Sequence, residues 1–217
     1  MTLILINFKE YKEAAGDNAL TLAKEIDRVN RPDYKIVVAP SLLTIKEVSQ
    51  KTGLRVYSQH LDPVDLGAHT GSISIDELKK LGVRGTILNH SEKKLSSNIL
   101  KQTVELCKKK KIKTVVCAST LSEIKKVASL NPTYLAYEPK ELIGTNISVT
   151  EAKPDIIIKA VELVKEVSPR TKLLCGAGIH SKEDLGHALI LGAKGVLIGH
   201  AVPKSKNPKK FLQEMLI

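Results

Sequence analysis

At 217 residues, 42% of them hydrophobic, the chain has an ordinary globular composition with enough apolar side chains for one sizeable core. No apolar run approaches membrane-spanning length, and three cysteines without Cys-x-x-Cys spacing argue against a disulfide framework or a zinc site. The formal net charge of +11 invites a nucleic-acid partner, but aromatic residues make up only 3% of the chain, so the usual stacking platforms are missing.

The start of the chain and its cysteines indicate a cellular location. Met1–Ile6 is apolar but lacks a basic leader and a small-residue cleavage site, so we expect a strand and not a signal peptide. Unpaired cysteines in odd number fit the reducing cytosol best. We therefore expect a cytoplasmic protein without membrane contact.

One run of four lysines, Lys108–Lys111, is the densest concentration of charge. It ends a segment with helical periodicity, where the helix dipole favours cations, so a solvated helix end explains it more simply than a nucleic-acid site. The positive field of the whole chain would also steer a small anionic substrate.

Eight short apolar runs, each followed by a segment with helical periodicity, recur about every 27 residues. They are Leu3–Ile6, Lys35–Ala39, Arg55–Ser58, Gly85–Leu88, Thr114–Cys117, Tyr134–Tyr137, Lys172–Cys175 and Gly195–Ile198. Such alternation predicts a parallel sheet covered by helices, and eight units are the number that closes a barrel. We predict an α/β fold, a single (β/α)8 TIM barrel domain that spans residues 1–217.

Polar residues mark the starts of several predicted helices. Gly16-Asp17-Asn18 opens the first helix, Ser119 the fifth, Ser148 or Thr150 the sixth and Ser181 the seventh. These residue types are favoured at helix N-termini because their side chains cap free backbone N–H groups.

The sixth predicted strand runs directly into a lone carboxylate, Glu138. Pro139 holds Glu138 in extended geometry, and Gly144-Thr145 adds a flexible point to the loop that follows. Active sites of this fold lie at the carboxyl ends of the strands. A carboxylate there, beside a loop able to close, points to proton abstraction in a site from which water is excluded.

Two more residues at strand ends are candidates for chemistry. Lys9 follows the first strand, where its ammonium would neutralise a substrate oxyanion, with Asn7 as a hydrogen-bonding brace. A surface lysine and a turn-forming asparagine are the plain alternatives. His90 follows the fourth strand, where a helix N-terminus should face the ring and favour a neutral, proton-donating imidazole. The alternative is a buried histidine satisfied by backbone. His60 and His69 look weaker, since neither has a carboxylate partner nearby in the sequence.

Two glycine-containing turns follow the seventh and eighth strands. They carry Gly176 and Gly178, then Gly199 and His200, and resemble the paired phosphate cradle of many barrels. Each turn alone would be weak evidence, because Gly-x-Gly is more often a plain turn. Their occurrence after these two particular strands favours a phosphate site.

Taken together, these residues make the chain resemble the triosephosphate isomerase family, in its short archaeal-type branch. The matching stretches are Asn7-Phe-Lys9, Asn89-His-Ser-Glu92, Ala136-Tyr-Glu-Pro139 with Ile143-Gly-Thr145, Cys175-Gly-Ala-Gly178 and Gly195-Val-Leu-Ile-Gly199. A carboxylate base, a neutral histidine and a closing loop are the known parts of that family's mechanism.

The resemblance implies a role for each matching residue. Glu138 would be the general base, His90 the neutral electrophile and Lys9 the cation beside an enediolate, and the reaction would need no cofactor and no metal. Asn7 would be a substrate neighbour, while amides near Ile143, Gly144, Gly178, Gly199 and His200 would hold the phosphate. The substrate would be a phosphorylated triose.

Two residues depart from the family pattern. Asn146 stands where members usually have a glycine at the end of the lid, and His200 where they have glycine or serine. Asparagine tolerates left-handed geometry, so the lid should still hinge. The His200 side chain should crowd or stabilise the phosphate, which leaves substrate affinity more open than reaction type.

Assembly and alternative functions complete the expectations. The long connection Leu61–Ser74 implies, through the resemblance, a homo-oligomer in which this loop enters the neighbouring subunit, as a dimer first and a tetramer second. The alternative to this is a disordered surface loop. One alternative function is another phosphate-binding barrel, such as a phosphoribosyl isomerase or a pentulose-phosphate epimerase, which would need a different base pair or metal ligands. The other is a catalytically silent barrel that binds nucleic acid.

Overall fold

The computed structural model describes residues 1–29, 31–143, 145 and 147–216. Its eight parallel strands pair in chain order, and β1 also pairs with β8, so that the sheet closes into a barrel. The strands are β1 Thr2–Asn7, β2 Tyr34–Ala39, β3 Arg55–Ser58, β4 Gly85–Leu88, β5 Lys113–Ala118, β6 Tyr134–Tyr137, β7 Lys172–Cys175 and β8 Gly195–Ile198. The predicted (β/α)8 barrel is confirmed, with strand ends that differ from the prediction by one residue at most.

Helices connect the strands and cover the outside of the barrel. They are α1 Asp17–Asp27, α2 Ile45–Lys51, α3 Ile75–Lys80, α4 Ser97–Lys109, α5 Leu121–Ala128, α6 Val149–Ala152, α7 Pro154–Val167, α8 Lys182–Ile190 and α9 Pro208–Met215. Two 3₁₀ turns, Lys12–Ala14 and Lys140–Leu142, lie after β1 and β6. Within the described part of the chain, no helix has both the length and the apolar character that crossing a membrane requires.

Helix starts follow the predicted capping residues except in one case. Ser148 caps α6, and Ser181 caps α8 through a full capping box with Asp184. The prediction that Ser119 opens α5 is wrong. The N-cap residue is Thr120, whose hydroxyl accepts a hydrogen bond from the backbone N–H of Glu123. Ser119 instead donates its backbone N–H and its hydroxyl to Glu123 Oε2, at 2.8 and 2.9 Å.

The core has two parts, which follow from the alternation of side chains along each strand. One part fills the space between the strands and the helices. The other fills the barrel itself, and we call its members the interior row: Leu3, Leu5, Val37, Ala39, Tyr57, Ile87, Val115, Cys117, Tyr134, Ala136, Leu174 and Leu197. Continued at the same two-residue spacing towards the carboxyl ends, the interior row reaches Asn7, Glu138 and Gly176.

Candidate active site

Glu138 stands at the carboxyl end of β6, at the end of the interior row. Its backbone N–H donates to the Ala118 carbonyl at 2.8 Å, which continues the pairing of β6 with β5 by one residue. The residue is 4% exposed, and Oε2 has no hydrogen-bond partner among the described residues. Burial raises the pKa of Glu138, against the opposing effects of His90, the Cys117 thiol and Lys9. The carboxylate is therefore a desolvated base.

Gly176 provides the space in which the Glu138 side chain lies. A Cβ atom at position 176 would come within 2.5 Å of Glu138 Cγ and 3.1 Å of Oε1. Real Cβ atoms do not approach other atoms so closely, so any side chain there would displace the carboxylate. The sequence indicated Gly176 only as part of a turn, and its contact with Glu138 requires the fold to be known.

His90 lies opposite Glu138, with Nε2 at 3.7 Å from Glu138 Oε1. Its other ring nitrogen, Nδ1, accepts the backbone N–H of Glu92 at 3.2 Å. A nitrogen that accepts a hydrogen bond carries no proton, so this contact leaves the ring proton on Nε2, facing the carboxylate. The imidazole is 8% exposed and points into the site.

The predicted helix N-terminus beside His90 is wrong, because α4 begins only at Ser97. A turn closed by the Lys93 N–H and the His90 carbonyl, at 2.9 Å, presents the Glu92 amide instead. Asn89 holds this turn: its backbone is left-handed, with φ of 56°, and its side chain bonds the Cys117 carbonyl and the Leu95 N–H.

Lys9 approaches the site from β1 through a left-handed residue with φ of 48°. Its backbone N–H donates to Asn7 Oδ1 at 3.0 Å, so the predicted bracing by Asn7 acts on the main chain. The ammonium lies 2.6 Å from Glu92 Oε1. Burial works against the charged form, but the hydrogen bond and charge of Glu92 outweigh it and raise the pKa of Lys9. The lysine therefore carries a fixed positive charge.

Gln59 was not assigned a role from the sequence, although it follows β3. Its amide donates to the carbonyls of Lys9 and Ala39, both at 3.0 Å. It thereby ties the ends of three neighbouring strands together and holds the unusual backbone of Lys9. An amide that bonds two carbonyls far apart in the chain leaves no signal in the local sequence.

The site residues converge on one narrow cleft. Its lining includes Asn7, Lys9, His90, Glu138, Ile143, Gly178, Gly199 and His200. These are all the predicted site residues except Gly144, which lies outside the described residues, as does the departure at Asn146. The free volume is about 20 Å³, room for about one water molecule. A larger ligand therefore needs one lining element to move, and Ile143 is the lining residue on the loop after β6.

The glycine turns after β7 and β8 form one wall of the cleft. Gly178 has φ of +67°, and a Cβ there would meet the Ile147 carbonyl oxygen at 1.9 Å, so the chain after the loop packs directly on this glycine. His200 is half-buried, and burial together with Lys204, Lys9 and His180 lowers its pKa. The wall therefore combines close backbone approach with nearby positive charge, a combination that suits an anion.

The prediction that His60 has no carboxylate partner nearby in the sequence is wrong. Its Nε2 lies 3.1 Å from Asp62 Oδ1, and Asp62 Oδ2 accepts the backbone N–H of Ile73 at 2.8 Å. Burial lowers the pKa of His60, while Asp62 opposes the shift. Asp62 thus closes the base of the loop Leu61–Ser74, and His60 belongs to this structural contact.

A second cleft of about 340 Å³ adjoins the first and shares Asn7, Lys9 and His90 with it. His60 and Ile73, at the base of the long loop, line its other side.

No group of three or more His, Cys, Asp or Glu side chains suited to a metal ion occurs in the described part of the chain.

The barrel and its cleft define an enzyme that transfers protons on a small anionic substrate, with a desolvated carboxylate, an imidazole donor and a fixed ammonium in one place. A family model described as triosephosphate isomerase matches residues 2–215. The chain belongs to the triosephosphate isomerase family, which confirms the resemblance drawn from its motifs.

Curated relatives named triosephosphate isomerase match along nearly their whole length. The protein from Methanothermus fervidus is 40% identical over 99% of this chain and 97% of its own. That from Methanocaldococcus jannaschii is 39% identical over 99% of this chain and 98% of its own. That from Archaeoglobus fulgidus is 38% identical over 100% of this chain and 97% of its own. These relatives and the family model support triose-phosphate isomerisation as the activity.

Proposed function

We propose that the chain interconverts D-glyceraldehyde 3-phosphate and dihydroxyacetone phosphate through an enediolate, without a cofactor or a metal, in glycolysis and gluconeogenesis. The observation that carries the proposal is the convergence of Glu138 and His90, 3.7 Å apart, in a buried cleft that also contains Lys9. Acid and base groups in such a position typically accelerate a proton transfer by about 10²–10⁴ each.

Glu138 acts as the base. Its carboxylate takes the proton from the carbon next to the substrate carbonyl, and the released electron pair forms the carbon–carbon double bond of the enediolate. Glu138 then returns the proton to the neighbouring carbon, while the hydroxyl on the first carbon gives its proton back to His90 and becomes the new carbonyl, which completes the isomerisation. Burial favours this role, and so does the lack of a hydrogen-bond partner for Oε2 among the described residues, because a poorly solvated carboxylate gains more from accepting a proton.

His90 and Lys9 stabilise the negative charge that develops on oxygen. The ring proton of His90 on Nε2 is directed into the cleft, where it can be donated to the carbonyl oxygen. Lys9 contributes a charge that does not depend on the reaction, and its ion pair with Glu92 holds it at the edge of the cleft. Because both groups are in place beforehand, little reorganisation accompanies the charge movement.

The wall made by Gly178, Gly199 and His200 is the proposed phosphate site, and Ile143 lines the same cleft from the loop. Gly144, which lies outside the described residues, is proposed to contribute its amide by the family resemblance alone. Glycines allow the phosphate oxygens to approach backbone N–H groups closely. Burial and the nearby charge of Lys204 lower the pKa of His200, and the charge of Lys204 adds to the attraction for an anion. Since the cleft has room for only about one water, the loop must move to admit the substrate.

The chain is further proposed to work in the cytoplasm as one catalytic domain over residues 1–217, in a homo-oligomer. The exposed tip of the loop Leu61–Ser74 supports the assembly, because Leu66 is 58% exposed and Thr70 is also exposed. At the base of the loop, the Asp62 N–H donates to the Ile73 carbonyl and the Ile73 N–H donates to the Asp62 carboxylate, so the loop has a fixed base. The 340 Å³ cleft beside Lys9 is the proposed seat for the same loop of a second copy.

A coupled assay with D-glyceraldehyde 3-phosphate tests the activity. We expect turnover that survives treatment with a chelator and is lost in Glu138→Gln. Absence of turnover in correctly folded protein would refute the proposal. Turnover that a chelator abolishes would refute the metal-independent mechanism alone.

A further inference from the structure

The opposite end of the barrel carries a cluster of cations that the isomerase reaction does not use. We call Lys35, Arg55, Lys113 and Lys172 the basic cluster. Each stands two residues before a member of the interior row, namely Val37, Tyr57, Val115 and Leu174. Since side chains alternate along a strand, all four belong to the same inward-facing row at the amino-terminal mouth of the barrel.

A cleft of about 550 Å³ opens beside the basic cluster. Its lining includes Lys35, Arg55 and Lys113 together with Arg84 and Lys111, and it includes no acidic residue. None of these five side chains, nor Lys172, takes part in an ion pair within the described part of the chain. Among the described residues, the cations of this mouth are thus left without an ion-pair partner.

Two groups show that this arrangement is more than scattered surface lysines. Burial, hydrogen-bonding proximity to Lys113, and the charges of Lys113, Arg55 and Lys172 together lower the pKa of Lys35 to about 8. Tyr57 lines the same cleft, is fully buried, and its hydroxyl has no hydrogen-bond partner among the described residues. Like charges brought together and an unpaired phenol both cost free energy, and a bound oxyanion would offset that cost.

We propose that the basic cluster and its cleft bind a multivalent phosphate anion, a polyphosphate or a small molecule that carries several phosphates. Arginine forms paired hydrogen bonds with phosphate oxygens, and lysine ammoniums add point charges around it. The cleft volume lies within the usual range for small-molecule sites. Lys113 and Ala118, at the two ends of β5, are separated by about 17 Å at roughly 3.3 Å per residue, so the two sites are distinct.

Binding of sodium tripolyphosphate, measured by titration calorimetry at pH 7 and constant ionic strength, tests the proposal. The variant Arg55→Gln/Lys113→Gln removes two members of the basic cluster. Lys125→Gln/Lys182→Gln removes the same charge from exposed positions elsewhere and serves as the matched control. A third variant, Lys9→Met, removes a cation from the active cleft.

We expect the first variant to bind at least about tenfold more weakly, because charge-assisted hydrogen bonds contribute on this order. The control and Lys9→Met should bind tripolyphosphate at the basic cluster as tightly as the wild type does. Tripolyphosphate should also raise the melting temperature of these two variants. Isomerase turnover of Arg55→Gln/Lys113→Gln should equal that of the wild type, which also shows that the variant is folded. If the double variant fails to fold, the single Lys113→Gln variant applies the same test.

Three results would overturn the proposal. Loss of binding in Lys9→Met but not in Arg55→Gln/Lys113→Gln would place the anion in the active cleft. Equal weakening in the control would mean diffuse attraction to a positive surface. Tighter binding of a single-stranded oligonucleotide than of tripolyphosphate would assign the cluster to a nucleic acid. None of these results depends on whether the chain isomerises trioses.

Discussion

At the scale of single residues, the burial of Glu138 makes its carboxylate a stronger base but lowers the stability of the folded protein at neutral pH. Burial raises its pKa above the ordinary value of 4.5, so the folded protein binds a proton there more tightly than the unfolded chain does. The free energy of unfolding therefore decreases as pH rises from the Glu138 pKa of the unfolded chain to that of the folded chain, and it stays lower at neutral pH. The raised pKa also makes kcat/KM fall with acid earlier than for an ordinary carboxylate.

Replacing Glu138 with glutamine separates these two effects. We expect Glu138→Gln to lose about 10²–10⁴ in kcat, with a melting temperature at pH 7 that is no lower than that of the wild type. His90→Gln should lose turnover to a similar extent. Coupled-assay kinetics and thermal unfolding provide the measurements. Turnover like the wild type in folded Glu138→Gln would show that another group is the base.

Gly176 positions Glu138 and gives a second prediction. The methyl group of Gly176→Ala would lie 2.5 Å from Glu138 Cγ and push the carboxylate away from His90, so we expect kcat to fall by about 10². Gly186→Ala in α8 is the matched control, because a Cβ there meets nothing within 4 Å. The control should keep full activity and gain about 0.5–1 kcal/mol of stability. Equal kcat values for both variants would show that Gly176 only shapes the turn.

At the scale of elements, the strands were predictable and several contacts between them were not. Continuous apolar runs such as Gly85–Leu88 give strand positions directly, because barrel strands are buried on both faces. Lys9, His90 and Glu138 were found because the carboxyl ends of parallel strands meet. The contacts of Gly176 with Glu138 and of Glu92 with Lys9 join residues 38 and 83 positions apart, so no local pattern reveals them.

Local competition between polar side chains explains the smaller errors. Ser119 and Thr120 are adjacent, and both residue types are favoured at a helix N-terminus. The Glu123 carboxylate accepts two hydrogen bonds from Ser119, which leaves Thr120 as the N-cap residue. Asp62 bonds to His60 because the loop folds back on itself at Ile73, which spacing alone does not show. In both cases a carboxylate selected one partner among several that the sequence allows.

Side-chain contacts hold the loop after β6 in the position that the structure describes. Glu141 forms an ion pair with Lys153, and Thr145 donates its hydroxyl to the Leu142 carbonyl at 2.9 Å. We expect that shortening Lys140–Thr145 while keeping Glu138 lowers isomerisation and raises the share of turnovers that end as methylglyoxal and inorganic phosphate, since an exposed enediolate can expel its phosphate. Product ratios by NMR measure this. An unchanged ratio in the folded variant would make the loop a plain connector.

The loop Leu61–Ser74 is expected to control assembly. A Thr70→Arg substitution at its exposed tip should weaken the oligomer and reduce activity, because a bulky charge would be buried in the cleft of the neighbouring copy. Light scattering and kinetics over a range of protein concentrations measure both effects. A wild-type chain that is monomeric and fully active at assay concentration would contradict the expectation.

At the scale of the whole molecule, charge is distributed unevenly between the two mouths of the barrel. The chain carries 34 basic and 23 acidic residues, a difference of 11. Glu92 forms an ion pair with Lys9 at the active mouth, whereas the described lining of the cleft at the other mouth includes five cations and no acidic residue. Part of the net positive charge therefore lies at the amino-terminal mouth of the barrel.

This imbalance predicts an unusual pH dependence of stability. The pKa of Lys35 is about 8 in the folded chain and has an ordinary value of 10.5, so between these values the unfolded chain binds more protons and stability rises with pH. Lys35→Met should raise the free energy of unfolding at pH 7 by about 0.2–1 kcal/mol, since the charges are partly exposed and screened. Denaturant unfolding should show this gain shrinking from pH 8 to 10.5. Lys125→Met is the control, and an equal change there would remove the explanation.

The pairing of β1 with β8 has a consequence for the chain as it leaves the ribosome. Leu3 pairs with Gly195, so the first strand to emerge keeps one unsatisfied edge until the eighth strand has been made. Glu138 likewise has no fixed seat before Gly176 has been translated. From its synthesis until the barrel closes, the Glu138 carboxylate therefore lacks the buried environment that raises its pKa, and the active cleft is incomplete. The desolvation that makes Glu138 a strong base arises only when the ring closes, so activity is gained late and in one step.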